Sequence, residues 1–305
     1  MAHHESQPDV LLEDETLRDG LQAESRIFSL DEKLAIYQQL AEAGIGRIQV
    51  GSFVNPKRVP QMAETDKLIR TITSQCKSHT IVSALILNDK GLERAIDCNV
   101  QHVSMSVSVS NTHSLKNAGK TAADALTDMA DLIRQATDSG LMVRAGLQCS
   151  FGCVYEGAID EQAVLKAAEK FAIAGAQEIN LADTIGMANP LTVENMVRLI
   201  LQELPKIKIS LHLHDTRGLG LANTYAGYQS GVRTFDTCTG GLGGCPFVRG
   251  AAGNVPTEDA VHMFSSIGVR TGIDLEKICD TVETLETMLN RKLPGRMKTV
   301  LAAER

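Results

Sequence analysis

The sequence predicts a (β/α)8 barrel of the TIM class, as one domain over residues 1–305 with an additional C-terminal helix. Three observations carry this. Short apolar runs alternate eight times with longer amphipathic runs, and such alternation builds a parallel sheet with right-handed crossovers. Polar clusters fall just after the apolar runs, where a barrel of this class places its chemistry. No Ser/Pro-rich linker or low-complexity stretch divides the chain. An open doubly wound sheet is the alternative, disfavoured because no Gly-x-Gly-x-x-Gly follows the first strand.

In chain order, residues 1–9 read as a disordered or extended N-terminus, 10–13 as a strand and 30–43 as a helix. The next pairs are 47–52 with 63–73, 80–87 with 90–98, and 102–108 with 122–139. Then follow 142–148 with 161–174, 178–181 with 191–204, 208–214 with 221–230, and 234–237 with 257–267. One further helix, 275–291, opens a helical extension over 275–305.

Composition is that of an ordinary globular chain, 43% hydrophobic and 22% charged. A net charge of −7 argues against nucleic acid as partner. No apolar run reaches the length of a membrane span, and the start shows no export or transit pattern, so a cytoplasmic location is expected. Seven scattered cysteines with no Cys-x-x-Cys suit reduced thiols.

The strand at 208–214 carries His212 and His214. Residues two apart on a strand share a face, so the two imidazoles converge at its C-terminal end as metal ligands or an acid/base pair. Asp19, after the first strand, offers a carboxylate at the same end, and Asn254 offers an amide oxygen. Taken singly, Asp19 reads first as a capping carboxylate and Asn254 as a turn residue. Together they make a mixed nitrogen and oxygen site that favours Mg²⁺ or Mn²⁺ over a closed thiolate Zn²⁺ site. Arg18 is placed to stabilise an oxyanion, or to pair with Asp14 or Glu15. Asp183, ending the sixth strand, is a candidate acid/base or an N-cap. The run 240–254 holds many glycines around Cys245, a thiol poised in a loop that could close over a ligand.

These residues together resemble the hydroxymethylglutaryl-CoA lyase family, within the metal-dependent barrel lyases and Claisen-type synthases. The motifs are Thr16-Leu17-Arg18-Asp19-Gly20-Leu21-Gln22, Ser52-Phe53-Val54-Asn55-Pro56-Lys57, Gly152-Cys153-Val154-Tyr155-Glu156-Gly157, Asp183-Thr184-Ile185-Gly186, His212-Leu213-His214-Asp215-Thr216 and Gly241-Leu242-Gly243-Gly244-Cys245-Pro246 with Gly253-Asn254. The cysteine-containing glycine loop is what separates the lyase from its sibling synthases and aldolases. The resemblance implies Mg²⁺ or Mn²⁺ on Asp19, His212, His214 and Asn254. It implies enolate stabilisation by Arg18, proton transfer by Cys245 with help from Asp183, and substrate or CoA contacts by Gln22, Gln49, Asn290 and Lys292. The implied reaction cleaves 3-hydroxy-3-methylglutaryl-CoA to acetyl-CoA and acetoacetate in a homodimer. A related 3-hydroxyacyl-CoA, a same-fold 2-oxo-acid aldolase or synthase, and a non-catalytic metal- and acyl-CoA-binding homologue are the alternatives. Three departures stand out: Gln49 where the family usually has Glu, Ser25 where some relatives have a CoA-reaching Lys, and no thiol-switch Cys in residues 299–305. Loss of the charge at 49 is expected to alter metal affinity or the surroundings of Arg18.

Overall fold

The eight strands expected from the alternation pair side by side in sequence order and close on themselves, β1 joining β8. The computed structural model describes residues 8–76, 78–245 and 248–304. In chain order the elements are β1 (Leu11–Asp14), α1 (Leu30–Glu42), β2 (Arg47–Ser52), α2 (Thr65–Gln75), β3 (Ile81–Ile86), α3 (Asp89–Asp97), β4 (His102–Ser108), α4 (Asn111–Ala118) and α5 (Ala122–Asp138). They continue with β5 (Met142–Gln148), α6 (Glu161–Ile173), β6 (Glu178–Ala182), α7 (Pro190–Glu203), β7 (Lys208–His212), α8 (Gly220–Gln229) and β8 (Thr234–Thr237). A hairpin of β9 (Gly244–Cys245) and β10 (Val248–Ala252) precedes α9 (Thr257–Ser266), α10 (Leu275–Leu289) and α11 (Met297–Glu304).

Local chemistry sets many of the boundaries. Ser29 and Glu32 form a reciprocal capping box on α1, and Asn189 before Pro190 starts α7 in the same way. Asn88, Thr121, Asp160 and Asp274 cap α3, α5, α6 and α10 through their side chains.

Four details depart from the sequence reading. Ser110 accepts a hydrogen bond from the His113 amide (3.2 Å) and starts an unexpected helix, α4. The single C-terminal helix is two: Asn290 takes a left-handed φ of 50° and ends α10, and α11 follows. The glycine-rich run folds as a tight turn at Thr239–Gly241 and then the antiparallel β9/β10 hairpin. Regular strand β7 stops at His212, and His214 lies just beyond it in an isolated bridge to Asn254. The N-terminus expected to be disordered or extended spans residues 1–9, of which 1–7 lie outside the described residues and Asp9 pairs with Arg270 at 2.8 Å. No helix among the described residues is long and apolar enough to cross a membrane.

Strand residues alternate sharply. Ile48, Val50, Val103, Met105, Val143, Ile179, Leu211 and Phe235 are buried in the apolar layer that the helices cover. Their neighbours Arg47, Gln49, Ser104, Arg144, Glu178, Asn180 and Asp236 are buried as well, on the opposite face, inside the barrel. The barrel interior is thus polar, and its upper end opens into the site.

Candidate active site

Past β1 the chain makes one wide helical turn, Thr16–Gly20. The amides of Arg18, Asp19 and Gly20 all donate to the Glu15 carbonyl, at 3.0, 2.8 and 3.2 Å. A widened turn of this kind often marks a functional site. It sets the adjacent side chains of Arg18 and Asp19 at the mouth of the barrel. Asp14 anchors the turn: its Oδ1 accepts from the Thr16 amide (2.9 Å), and its Oδ2 accepts from the Thr239 and Thr257 hydroxyls (2.8 and 2.9 Å).

Asp19, His212 and His214 bring one ligand atom each within 4.8 Å of one another. The two histidine Nε2 atoms face each other at 3.1 Å. Asn254 joins them through its amide, which donates to Asp19 Oδ2 (2.7 Å) and to the Leu242 carbonyl (3.1 Å). Its Oδ1 is buried with no hydrogen-bond partner, and so is His214 Nδ1. A divalent cation fits this donor set, because it would use the orphaned amide oxygen and separate the two facing nitrogens. Gly243 is required here: its φ is +96°, and a Cβ would stand 2.5 Å from Asn254 Nδ2.

Charge on the other side fixes these ligands. His212 Nδ1 lies 3.2 Å from Asp236 Oδ2 and 3.5 Å from Glu15 Oε2, which turns Nε2 toward Asp19 and His214. Burial works against a charged His212, but the Asp236 hydrogen bond and Glu15 raise its pKa overall. His214, buried and facing His212, falls to about 3. Asp19 is buried too, yet Arg18 and the two imidazoles hold its carboxyl well below the usual range. Burial pushes Glu15 up to about 7, despite Arg18.

Arg18 donates to Glu15, Asp19 and Gln49. Gln49 in turn donates to Glu13 Oε1 at 3.4 Å. Gln49 therefore links a guanidinium to a carboxylate, a task that needs an acceptor and a donor on one side chain. Asp183 is buried at the end of β6. Its two oxygens accept from the amides of Met187 (2.7 Å) and Ala188 (3.1 Å), its own amide donates to the His212 carbonyl (2.8 Å), and burial raises its carboxyl to about 6.

The other sequence candidates lie around this centre. Cys245 has its backbone in β9; its side chain lies outside the described residues. Gln22 is half-buried in the segment after the Arg18–Asp19 turn. That segment meets the end of α10, where Arg26 donates to the Met288 carbonyl and Arg291 pairs with Glu24. Asn290 is the left-handed residue closing α10, and Lys292 pairs with Glu286 at 2.9 Å.

The site opens on a cavity of about 340 Å³ lined by Arg18, Asp19, His212 and His214, and also by Ser106, His113 and Gln148. Sequence reasoning missed its buried floor. Arg144 pairs with Glu13 (3.0 Å), Glu15 (2.7 Å) and Asp236. Arg47 pairs with Glu13 and Glu178. The available signal was a charge at an inward position of an apolar strand, as in Val143-Arg144-Ala145.

Comparison with known proteins places this geometry. Residues 9–285 match the HMGL-like family. The chain is 37% identical to the (R)-citramalyl-CoA lyase of Chloroflexus aurantiacus, covering 94% of this chain and 93% of that one. It is 35% identical to the hydroxymethylglutaryl-CoA lyase YngG of Bacillus subtilis, over 92% and 93% of the two chains. Among solved structures, an HMG-CoA lyase from Acinetobacter baumannii, in complex with coenzyme A and 3-methylmalate, superposes with a TM-score of 0.88 at 36% identity, covering 95% of this chain and 94% of that one. The chain belongs to the HMGL-like family and is, like these relatives, a carbon–carbon lyase.

Proposed function

We propose that this lyase is divalent-metal dependent and cleaves 3-hydroxy-3-methylglutaryl-CoA to acetyl-CoA and acetoacetate. One observation carries the reading: Asp19, His212 and His214 converge beside a guanidinium at the cavity mouth, and Asn254, its amide oxygen unpartnered, meets Asp19 through its amide nitrogen. Asp19, His212, His214 and Asn254 would hold Mg²⁺ or Mn²⁺, which supplies Lewis-acid polarisation of substrate oxygens when bound.

The chain's own groups supply the rest. Asp183, its carboxyl raised to about 6 by burial, takes the hydroxyl proton as the C2–C3 bond breaks and C3 becomes a ketone carbonyl. The electron pair passes to C2 as the thioester enolate. Arg18, held by Glu15, Asp19 and Gln49, offers a fixed cation for the enolate oxygen. Cys245, on the hairpin beside the cavity, returns a proton to C2 and completes the acetyl group. The Asp183 backbone is fixed beside His212, whose carbonyl accepts from its amide. Gln22, Asn290 and Lys292, on two segments joined by the Arg291–Glu24 pair, would receive CoA, and Gln49 serves the substrate through Arg18. A homodimer in the cytoplasm belongs to the same proposal.

A second reading has a specific support. The (R)-citramalyl-CoA lyase relative favours a shorter acyl chain that would leave pyruvate beside acetyl-CoA. A coupled assay for acetyl-CoA, with identification of the keto-acid product, decides between them. The expected result is turnover with Mg²⁺ or Mn²⁺, none with chelator, and acetoacetate as product. Cys245→Ser is expected to lower kcat about 10²–10⁴-fold, the usual contribution of a positioned proton donor. Full activity in chelator, or in Asp19→Ala, would remove the metal-dependent reading.

A further inference from the structure

Asp183 is held by the loop that follows β6, and its neighbours Ala182 and Thr184 line the cavity. The Met187 and Ala188 amides donate to the two oxygens of its carboxylate, and the Gly186 amide donates to its main-chain carbonyl at 3.2 Å. Three successive amides thus converge on one residue, an arrangement that needs a left-handed step in the backbone. Gly186 supplies that step with a φ of +66°, and a Cβ there would stand 2.7 Å from the Thr216 side chain. Thr216 belongs to the next loop, between β7 and α8, so the two loops touch at this glycine.

Arg217, beside Thr216, grips the outer side of the same loop. One guanidinium nitrogen, Nη1, donates to the carbonyls of Ile185 (2.6 Å) and Gly186 (2.8 Å). No peptide bond among the described residues is cis, and in a trans peptide the N–H and C=O point in opposite directions. The Gly186 carbonyl therefore faces Arg217 while the Met187 amide, in the same plane, faces Asp183 Oδ1 at 2.7 Å. The Ile185 carbonyl and the Gly186 amide make a second such plane, between Arg217 and the Asp183 main chain. Hydrogen bonds chained in this way polarise and strengthen one another.

We propose that Arg217 is a positioning residue for the lyase reaction, holding the Asp183 carboxylate in place through two peptide planes. The proposal rests on the lyase reading above and adds the device that aims its base. Arg217 is exposed and is not among the described residues lining the cavity, so it acts on the reaction only through the loop. Without it the Gly186–Met187 peptide is free to rotate, and the carboxylate loses one of its two amide donors.

The test is a double-mutant cycle on the full-length enzyme. Arg217→Met keeps the stem and removes the donors. It is expected to lower kcat for 3-hydroxy-3-methylglutaryl-CoA about 10-fold, short of the roughly 100-fold that a 1 Å misplacement can cost. KM, and Mn²⁺ affinity by calorimetry, should stay within twofold of wild type. Arg217→Lys, whose ammonium can donate to both carbonyls, should recover most of the activity. In an Asp183→Ala background, Arg217→Met should change kcat less than twofold, because the group it acts through is gone. Asp183→Asn takes the place of Asp183→Ala if the latter does not fold. The same loss of kcat with and without the Asp183 carboxylate overturns the proposal, as does a kcat within twofold of wild type in Arg217→Met. If Asp183→Ala keeps wild-type kcat, or wild type does not cleave this thioester, the reading beneath the proposal fails instead. Denaturant midpoints of the same variants then test the link alone. A smaller shift from Arg217→Met once the carboxylate is gone supports it, and strictly additive shifts overturn it.

Discussion

Gln49 shows how one amide can settle a crowded charge. It accepts from Arg18 and donates to Glu13 Oε1 at 3.4 Å. A glutamate there would set two buried carboxylates against each other, and one would have to take up a proton. Gln49→Glu is therefore expected to lower stability by about 1–3 kcal/mol, the cost of an unsatisfied buried polar group, with a lower melting temperature at pH 8 than at pH 5 as the readout. Glu258 gives a second residue-scale prediction. Its Oε2 accepts from the Gly240 amide at 2.9 Å, and burial raises its carboxyl to about 8. A pKa raised on folding favours the protonated native form. Its contribution is complete below the unfolded value of 4.5 and is lost as pH rises through about 8. Glu258→Gln should flatten the pH dependence of denaturant midpoints between pH 5 and 8; an unchanged slope would show that Glu258 does not set it. The Asp19–Arg18 and His212–His214 motifs were legible because each pair is contiguous or two apart. Glu15 was legible only as a partner for Arg18, and Arg144 and Asp236 were not, because their meaning comes from partners on other strands.

At the scale of elements, the end of α10 is tied down by one carboxylate. Glu286 accepts from the Leu293 amide and from Lys292 and Lys298, each at 2.9 Å. This cluster fixes the chain from Asn290 to Lys298 beside the glycine-rich turn, where the Gly295 amide donates to the Gly240 carbonyl at 3.2 Å. If Asn290 and Lys292 receive CoA, Glu286→Ala should raise KM for the thioester several-fold and leave kcat and Mn²⁺ affinity unchanged. Equal KM values would detach this corner from CoA binding. The sequence pattern showed the eight strand–helix pairs because each is periodic over many residues. It missed α4, whose polar run Asn111-Thr112-His113-Ser114 has no apolar period and whose start depends on the Ser110 cap. It also missed the β9/β10 hairpin, since glycine-rich composition signals freedom of the backbone and does not specify its pairing.

Across the whole molecule, the barrel interior and mouth hold five carboxylates, Glu13, Glu15, Asp19, Glu178 and Asp236, against three guanidinium groups, Arg18, Arg47 and Arg144. The layer is short of positive charge, and His212 supplies only part of the deficit. Bound cation should therefore stabilise the fold as well as the reaction. At Mn²⁺ near 100 times its Kd, the gain is expected to be about 2.7 kcal/mol, read as a raised melting temperature that chelator reverses. Asn254→Ala should abolish most of that rise, and a rise that survives the substitution would place the cation elsewhere. Removing Arg144 strikes the same layer from below. Arg144→Ala leaves buried carboxylates unpaired and is expected to cost about 3–5 kcal/mol by denaturant titration.

The two arms of the glycine hairpin leave the barrel and return to it at almost one place. Gly243 packs against Asn254, the Asp215 amide holds the Gly253 carbonyl at 2.7 Å, and the bridge from His214 to Asn254 closes the base. The hairpin is thus a cassette spliced in at a single joint. An engineer could exchange it without re-cutting the ligand geometry below, but every replacement would have to bring back a thiol where Cys245 stands.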